Sequence, residues 1–351
     1  MGKSPFPVRA QARYQKPGIP HNGPVLGSFS LLMQPFYVRR QRRWIGGAVI
    51  LALFALGPTP SPEPKTAEIG FDARWHDGRA ELDGYRYSIV RYGQRRQGQA
   101  VMIYVTEPWS RSKRVKVEDA SKNPADVFDV LKLNLVRDFQ TGIYDYNTMV
   151  SLFVRTQDFS PVELSFTSAE WCGNVYAKVR FDDDALHETL YSYFEDESGT
   201  RSLDRPRDGV AQDALFVLLR GLKGEFLGPG ARREIPLLSG MLESRLRHRP
   251  LKWSPAQIER ASKPVSIAVP AGNWSNAIYY EVRVQDGPVG RFWIEPDGDG
   301  RLLKWTWTES GRSEASESGE LAGTLRTAYW KDNDPGNEAL LRQLGLQPSV
   351  P

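Results

Sequence analysis

From Tyr85 onward, apolar and polar positions alternate with a period of two. Tyr85, Tyr87 and Ile89 share one face, and Arg86, Ser88 and Val90 the other. The same alternation runs through 99–107, 130–139, 144–155, 162–167, 175–181 and 188–195, with a short charged piece at 114–117. Half-buried antiparallel strands produce this pattern, because successive side chains point to opposite faces of a sheet. The connectors 93–98, 119–124, 140–142 and 196–208 are rich in turn residues and too short for a crossover helix, so sequence neighbours should pair as hairpins. A second run of strands is expected at 265–269, 277–284, 290–295, 302–308 and 324–329. The Pro296–Gly300 segment supplies a turn between two of them.

Two short helices interrupt this reading. Residues 211–220 place Ala214, Leu215, Leu218 and Leu219 on one apolar face behind Asp208, and 337–344 reads as a closing amphipathic helix. Residues 221–240 are broken by Gly and Pro. The expected fold is mainly β, an antiparallel sheet curled on itself as a half-barrel or barrel with a few short helices. It would span 69–346, with 69–209 and 264–346 as two halves joined by a helical or irregular segment. Ten Trp, 14 Tyr and 15 Phe fit strands and large packed surfaces.

The first part of the chain reads differently. Arg39, Arg40, Arg42 and Arg43 precede an uncharged apolar run of 13 residues, 44–56, and Pro58, Pro60, Pro62 and Pro64 follow it. That order is that of a secretory signal over 33–57 with a Pro-rich linker at 58–68. A membrane anchor is the alternative, although a spanning helix needs about 20 residues. Residues 1–32 read as a disordered leader outside the fold, with Met33 as the start of the exported chain. The expected location is the periplasm, free or membrane-anchored.

Residues 1–57 carry eight cations and no carboxylate, so a chain of net charge +4 has a body of net −4. A mildly acidic body excludes nucleic acid as the main partner. The single cysteine, Cys172, excludes an internal disulfide.

Cys172 is the one thiol nucleophile, with His187 and His248 as the histidines that could serve it. The bland reading is a buried, inert thiol under Trp171. Asp138 and Asp145 flank the Thr141-Gly142 turn and could act as an acid/base pair, or simply as turn residues. Arg245, Arg247, His248, Arg249 and Lys252, next to Trp253, could bind a phosphate or an anionic membrane surface, or form a solvated loop. Asp182, Asp183 and Asp184 with His187 could hold a metal, but consecutive residues of a strand point to alternate faces, so no metal and no cofactor is expected. No phosphate-binding Gly loop or nucleophile elbow is present.

Several blocks together resemble a known group. They are Arg91-Tyr92-Gly93 with 98–107, 130–146, 168–173, 191–195, 244–252, Tyr329-Trp330 and Leu344-Gly345-Leu346. They resemble an uncharacterised family of exported, often lipid-anchored bacterial proteins that carry the label "septum formation inhibitor Maf". The resemblance spans most of 80–346 and implies an exported β-rich protein with no assigned activity. The label does not suit the chemistry. True Maf proteins are α/β nucleotide pyrophosphatases with a Ser-x-Ser-x-Arg-Arg motif after the first strand. Here the nearest match, Ser110 to Arg114, does not complete the motif and follows a second strand. The chain also lacks the anchoring cysteine of its lipid-anchored relatives.

The reading that follows is a non-catalytic envelope protein that binds an apolar or amphiphilic ligand, such as a lipid, an acyl chain or a lipoprotein segment. An envelope scaffold or protein-interaction module with a solid core is the alternative, and a hydrolase using Cys172 or the Asp138/Asp145 pair is the second.

Overall fold

The computed structural model describes residues 73–297 and 299–347; the leader, signal and linker segments lie outside the described residues. Among the described residues, sixteen strands form one sheet. The first eight are β1 (Ala80–Arg91), β2 (Gln94–Ser110), β3 (Val127–Thr141), β4 (Tyr144–Arg155), β5 (Pro161–Glu170), β6 (Gly173–Phe181), β7 (Ala185–Ser192) and β8 (Gly199–Asp204). The second eight are β9 (Val210–Ala211), β10 (Arg232–Leu238), β11 (Trp253–Arg260), β12 (Val265–Val269), β13 (Gly272–Val284), β14 (Val289–Ile294), β15 (Leu302–Thr308) and β16 (Glu317–Thr327). Two helices are short: α1 (Leu215–Leu218) and α2 (Met241–Leu246).

The spatial order is 8-7-6-5-4-3-2-1-16-15-14-13-11-10-9, with β12 paired to β13. It is two hairpin meanders joined where β1 meets β16, so the two expected halves form one continuous sheet. Every pairing is antiparallel except the short one between β9 and β10. Strands sit about 4.8 Å apart, so this path laid flat would be roughly 65–70 Å wide. Yet Asp204 at one edge and Val210 at the other are linked by residues 205–209, which reach at most about 21 Å. The sheet therefore curls until its edges approach. It is not closed into a barrel, because β8 and β9 do not pair. The barrel alternative is thus replaced by an open curled sheet.

The interior is filled. Tyr85, Tyr87, Tyr104, Phe292 and Trp305 point inward and are fully buried. The expected helix at 211–220 is shortened to a turn of 3-10 helix at Gln212–Ala214 followed by α1. This segment runs through the inside of the sheet as a plug. Phe216 sits edge-on to Phe292 at 5.9 Å and to Trp305 at 5.6 Å, and Tyr104 Oη donates to the Phe216 carbonyl at 3.0 Å. Trp305 lies flat against Gly319 of β16, where an added Cβ would fall 2.0 Å from the ring. Arg220, at the end of the plug, is buried. Its guanidinium bonds Glu81 at 2.6 Å and lies 4.2 Å over the Tyr104 ring. The outer face of β1 is covered as well. Ala80 and Leu82 pack with Val105 under Leu344, the last residue of the C-terminal 3-10 segment Asn337–Leu344, and Leu346 just after it.

Three further departures have local causes. The charged piece at 114–117 is not a strand and makes one bridge, Trp109 to Lys116. Strand β16 starts earlier than expected, because Glu317 to Ser318 continue the alternation beside β1. Strands β8, β10 and β11 occupy stretches that read as connector or irregular segment.

Candidate ligand site at the sheet seam

In a meander, every second turn falls at the same end. The turns after β1, β3, β5, β7, β13 and β15 and the β10–β11 connection containing α2 therefore share one rim. Exposed aromatic and aliphatic side chains gather along part of it: Tyr92, Ile143, Trp171, Tyr191 and Tyr193. Beneath them, Tyr92 Oη is 2.8 Å from Tyr146 Oη and accepts from Tyr144 Oη at 2.9 Å. Arg91 donates to Tyr146 at 3.2 Å and to the Leu246 carbonyl at 2.8 Å, which ties α2 to the rim.

The plug positions α2 from the other side. Asp213 Oδ2 accepts from the Met241 N–H at 2.9 Å, and Gln212 Oε1 from the Gly240 N–H at 3.3 Å. The helix ends as His248 turns left-handed, with φ 53°. Ser244 Oγ and Arg245 Nη2 both donate to the Arg249 carbonyl, at 2.5 and 2.9 Å. The basic segment is thus a folded corner, not a solvated loop.

This corner faces the β7–β8 edge across a pocket of about 310 Å³. Its wall includes Glu188 and Leu190 of β7, Gly199, Thr200 and Arg201 of β8, Glu197, and Arg245, His248, Arg249 and Pro250. Arg201 Nε donates to Glu188 Oε2. His248 Nδ1 lies 2.6 Å from Glu197 and its ring stands edge-on to Phe194 at 4.6 Å. Burial pulls Arg245 below the ordinary guanidinium range, against the attraction of Glu188 and Glu197. For Glu197, burial acts upward, and the Ser192 hydroxyl and His248 outweigh it to hold the carboxyl below its usual range. Three buried atoms of this wall have no hydrogen-bond partner among the described residues: Arg245 Nε, Arg201 Nη2 and Glu188 Oε1. Arg245 is only 8% exposed. Unpartnered buried donors and acceptors are costly, so a polar guest in this pocket would be stabilised by meeting them.

The structure separates the remaining basic residues. Arg247 is ion-paired with Glu243 at 3.3 Å and with Glu309. Arg247, Arg249 and Lys252 border a second cleft of about 250 Å³ beside Asp286 and Glu309. Trp253 is half-buried and lies over Gly209. Arg245, Arg247, Arg249 and Lys252 therefore do not make one basic surface.

Cys172 is exposed, as is Trp171, which corrects the expectation of a buried thiol. The two residues are the hairpin turn between Glu170 and Gly173 and cannot pack inward. His187 pairs with Arg180, seven positions along β6 from that turn, which places it about 23 Å away. It is held by Asp182 at 3.1 Å and Ser202 at 2.9 Å. Asp138 accepts from Asn147 on an outer face of the sheet, and Asp145 is exposed opposite Gln140. Among the described residues no group of three or more His, Cys, Asp or Glu could hold a metal.

Glu197 and Arg201 were not identifiable as site residues, because 196–208 reads as a connector, and Glu188 and Leu190 read only as positions of a strand at 188–195. The signal present was the alternation Thr200, Arg201, Ser202, Leu203, with Arg201 opposite Glu188. Fold and pocket together define a mainly-β protein with an open curled sheet and a charged pocket at its seam. No protein-family model, curated protein or solved structure matches this chain.

Proposed function

We propose that the protein is a non-catalytic binding protein, exported to the cell envelope, whose ligand has an anionic head and an apolar body and sits in the seam pocket. One observation carries this reading: Arg245 Nε and Arg201 Nη2, buried N–H donors with no hydrogen-bond partner among the described residues, belong to the wall of a single pocket. Leu190 and Pro250 offer an apolar wall beside them. A filled interior favours a ligand held at the seam over one enclosed within the sheet. The basic cluster and apolar run of 39–56 support export. The exposed aromatics of the rim favour protein interaction as the second reading. A hydrolase finds less support, since Cys172 lies about 23 Å from His187 and outside the seam pocket.

Isothermal titration with decanoate, an anionic head on an apolar chain, tests the reading. Charge-assisted bonds contribute about 1.5–3 kcal/mol, so Arg245→Gln should weaken decanoate binding about tenfold or more. Octyl glucoside, which has no charge, should bind more weakly than decanoate to the parent. Equal binding of decanoate by parent and variant, or none by the parent, refutes the proposal.

A further inference from the structure

Strand β8 is one edge of the sheet and pairs only with β7. The Arg205 N–H bonds the Asp184 carbonyl at 2.8 Å, which fixes the phase of the ladder. In an antiparallel pair alternate residues turn their N–H and C=O groups toward the neighbour. Leu203 and Arg201 therefore face β7, and Thr200, Ser202 and Asp204 turn theirs outward. These three residues are exposed, and no backbone hydrogen bond among the described residues closes that side. The outward row, from Thr200 to Asp204, is about 14 Å long and starts in the wall of the seam pocket, at Gly199 to Arg201.

We infer that the seam binds the C-terminal tail of a polypeptide, added to β8 as an antiparallel strand with its terminal carboxylate held by Arg245 and Arg201. This rests on the seam pocket being the ligand site. The argument for this occupant is its polarity and direction. An antiparallel strand ends where β8 begins, so its C-terminus falls in the pocket. Arg245 has no carboxylate bonded to it among the described residues, and its Nε is unpartnered. Leu190 and Pro250, in the same wall, are apolar surfaces for the last side chain. Main-chain bonds to an open edge with a carboxylate clamp at one end is an established way to read an extended tail. The edge is short and carries Arg201 and Asp204, which limits indiscriminate pairing.

The test presents a pool of randomised octapeptides to the immobilised full chain, as free acids and as C-terminal amides, and identifies the retained peptides by mass spectrometry. Free acids should be enriched about tenfold or more over amides, as a charge-assisted clamp requires. Retention should slow hydrogen exchange across residues 199–204. Arg245→Gln should abolish the preference for free acids. Thr200→Pro should abolish retention with an unchanged melting temperature, because its N–H points away from β7 and bears no part of the fold. No retention by the parent, equal retention of acids and amides, or retention that survives Thr200→Pro overturns the inference. If decanoate binding still depends on Arg245 while the peptides fail, the pocket stands and only the tail is wrong. If decanoate binding is also independent of Arg245, the pocket reading itself falls.

Discussion

Asp213 couples the plug to the ligand corner, and its ionisation should contribute to the pH dependence of stability. It is 4% exposed. Burial raises its carboxyl to about 6 from 3.8, with Glu317 adding to the rise and the Met241 N–H and Arg137 opposing it. The folded state therefore holds the proton more tightly than the unfolded chain. Its contribution to stability is fully present below the unfolded value near 4 and is lost as pH rises from there through about 6. A shift of about two units corresponds to roughly 3 kcal/mol at 1.36 kcal/mol per unit. Asp213→Asn removes the ionisation and keeps an oxygen to accept from Met241. At pH 4 parent and variant should differ by less than about 1 kcal/mol. At pH 7.5 the variant should be more stable by up to about 3 kcal/mol, a rise in melting temperature of roughly 5–10 °C for a domain of this size. Urea unfolding at both pH values measures the difference. A variant less stable than the parent at pH 7.5, or a difference that does not change with pH, would show that Asp213 is ionised in the fold and that the reasoning fails.

Two other outcomes are expected. Phe216→Ala empties the centre of the plug against Phe292 and Trp305, and should cost about 3–5 kcal/mol in urea unfolding; a cost below about 1 kcal/mol would mean the interior is not packed around it. Exposed Cys172 should be carboxymethylated by iodoacetamide in the native protein, and Cys172→Ser should change stability by less than about 0.5 kcal/mol; protection of the thiol until unfolding would contradict its place in the hairpin turn.

The first meander was legible because one face of each strand is buried. Tyr85, Tyr87 and Ile89 point into the core as their spacing indicates, and β3 to β7 follow the same rule. The β10–β11 hairpin was not legible, for a reason visible in its register. Pro236 and Pro255 sit directly opposite each other, and proline argues against a strand. The Ser239 N–H to Lys252 carbonyl bond shows that this pair is one of the non-bonded positions. Neither ring nitrogen is asked to donate within the hairpin, so both prolines fit. The plug misled in the opposite way. Its apolar face at Ala214, Leu215, Leu218 and Leu219 suggested an amphipathic helix on a surface. Phe216 and Val217 are buried too, because the segment is surrounded by the sheet, and only one turn of α-helix forms.

The site was half legible for a related reason. A local charge run announces itself, so Arg245, His248 and Arg249 could be singled out. Their partners Glu188 and Arg201 come from the far edge of the sheet and meet them only because the sheet curls. Closing the barrel would require β8 to pair with the far edge, and two features stand in the way. Strand β9 already pairs with residues 237–238 of β10, and α2 with its basic corner occupies the space beside β7 and β8. Full closure would cover the outward groups of Thr200, Ser202 and Asp204, whereas the corner leaves them open and places Arg245 at their start. An open edge and a buried guanidinium whose Nε has no partner among the described residues each cost stability when left unfilled. A single extended ligand ending in a carboxylate would satisfy both, which is the physical ground for assigning them to one site.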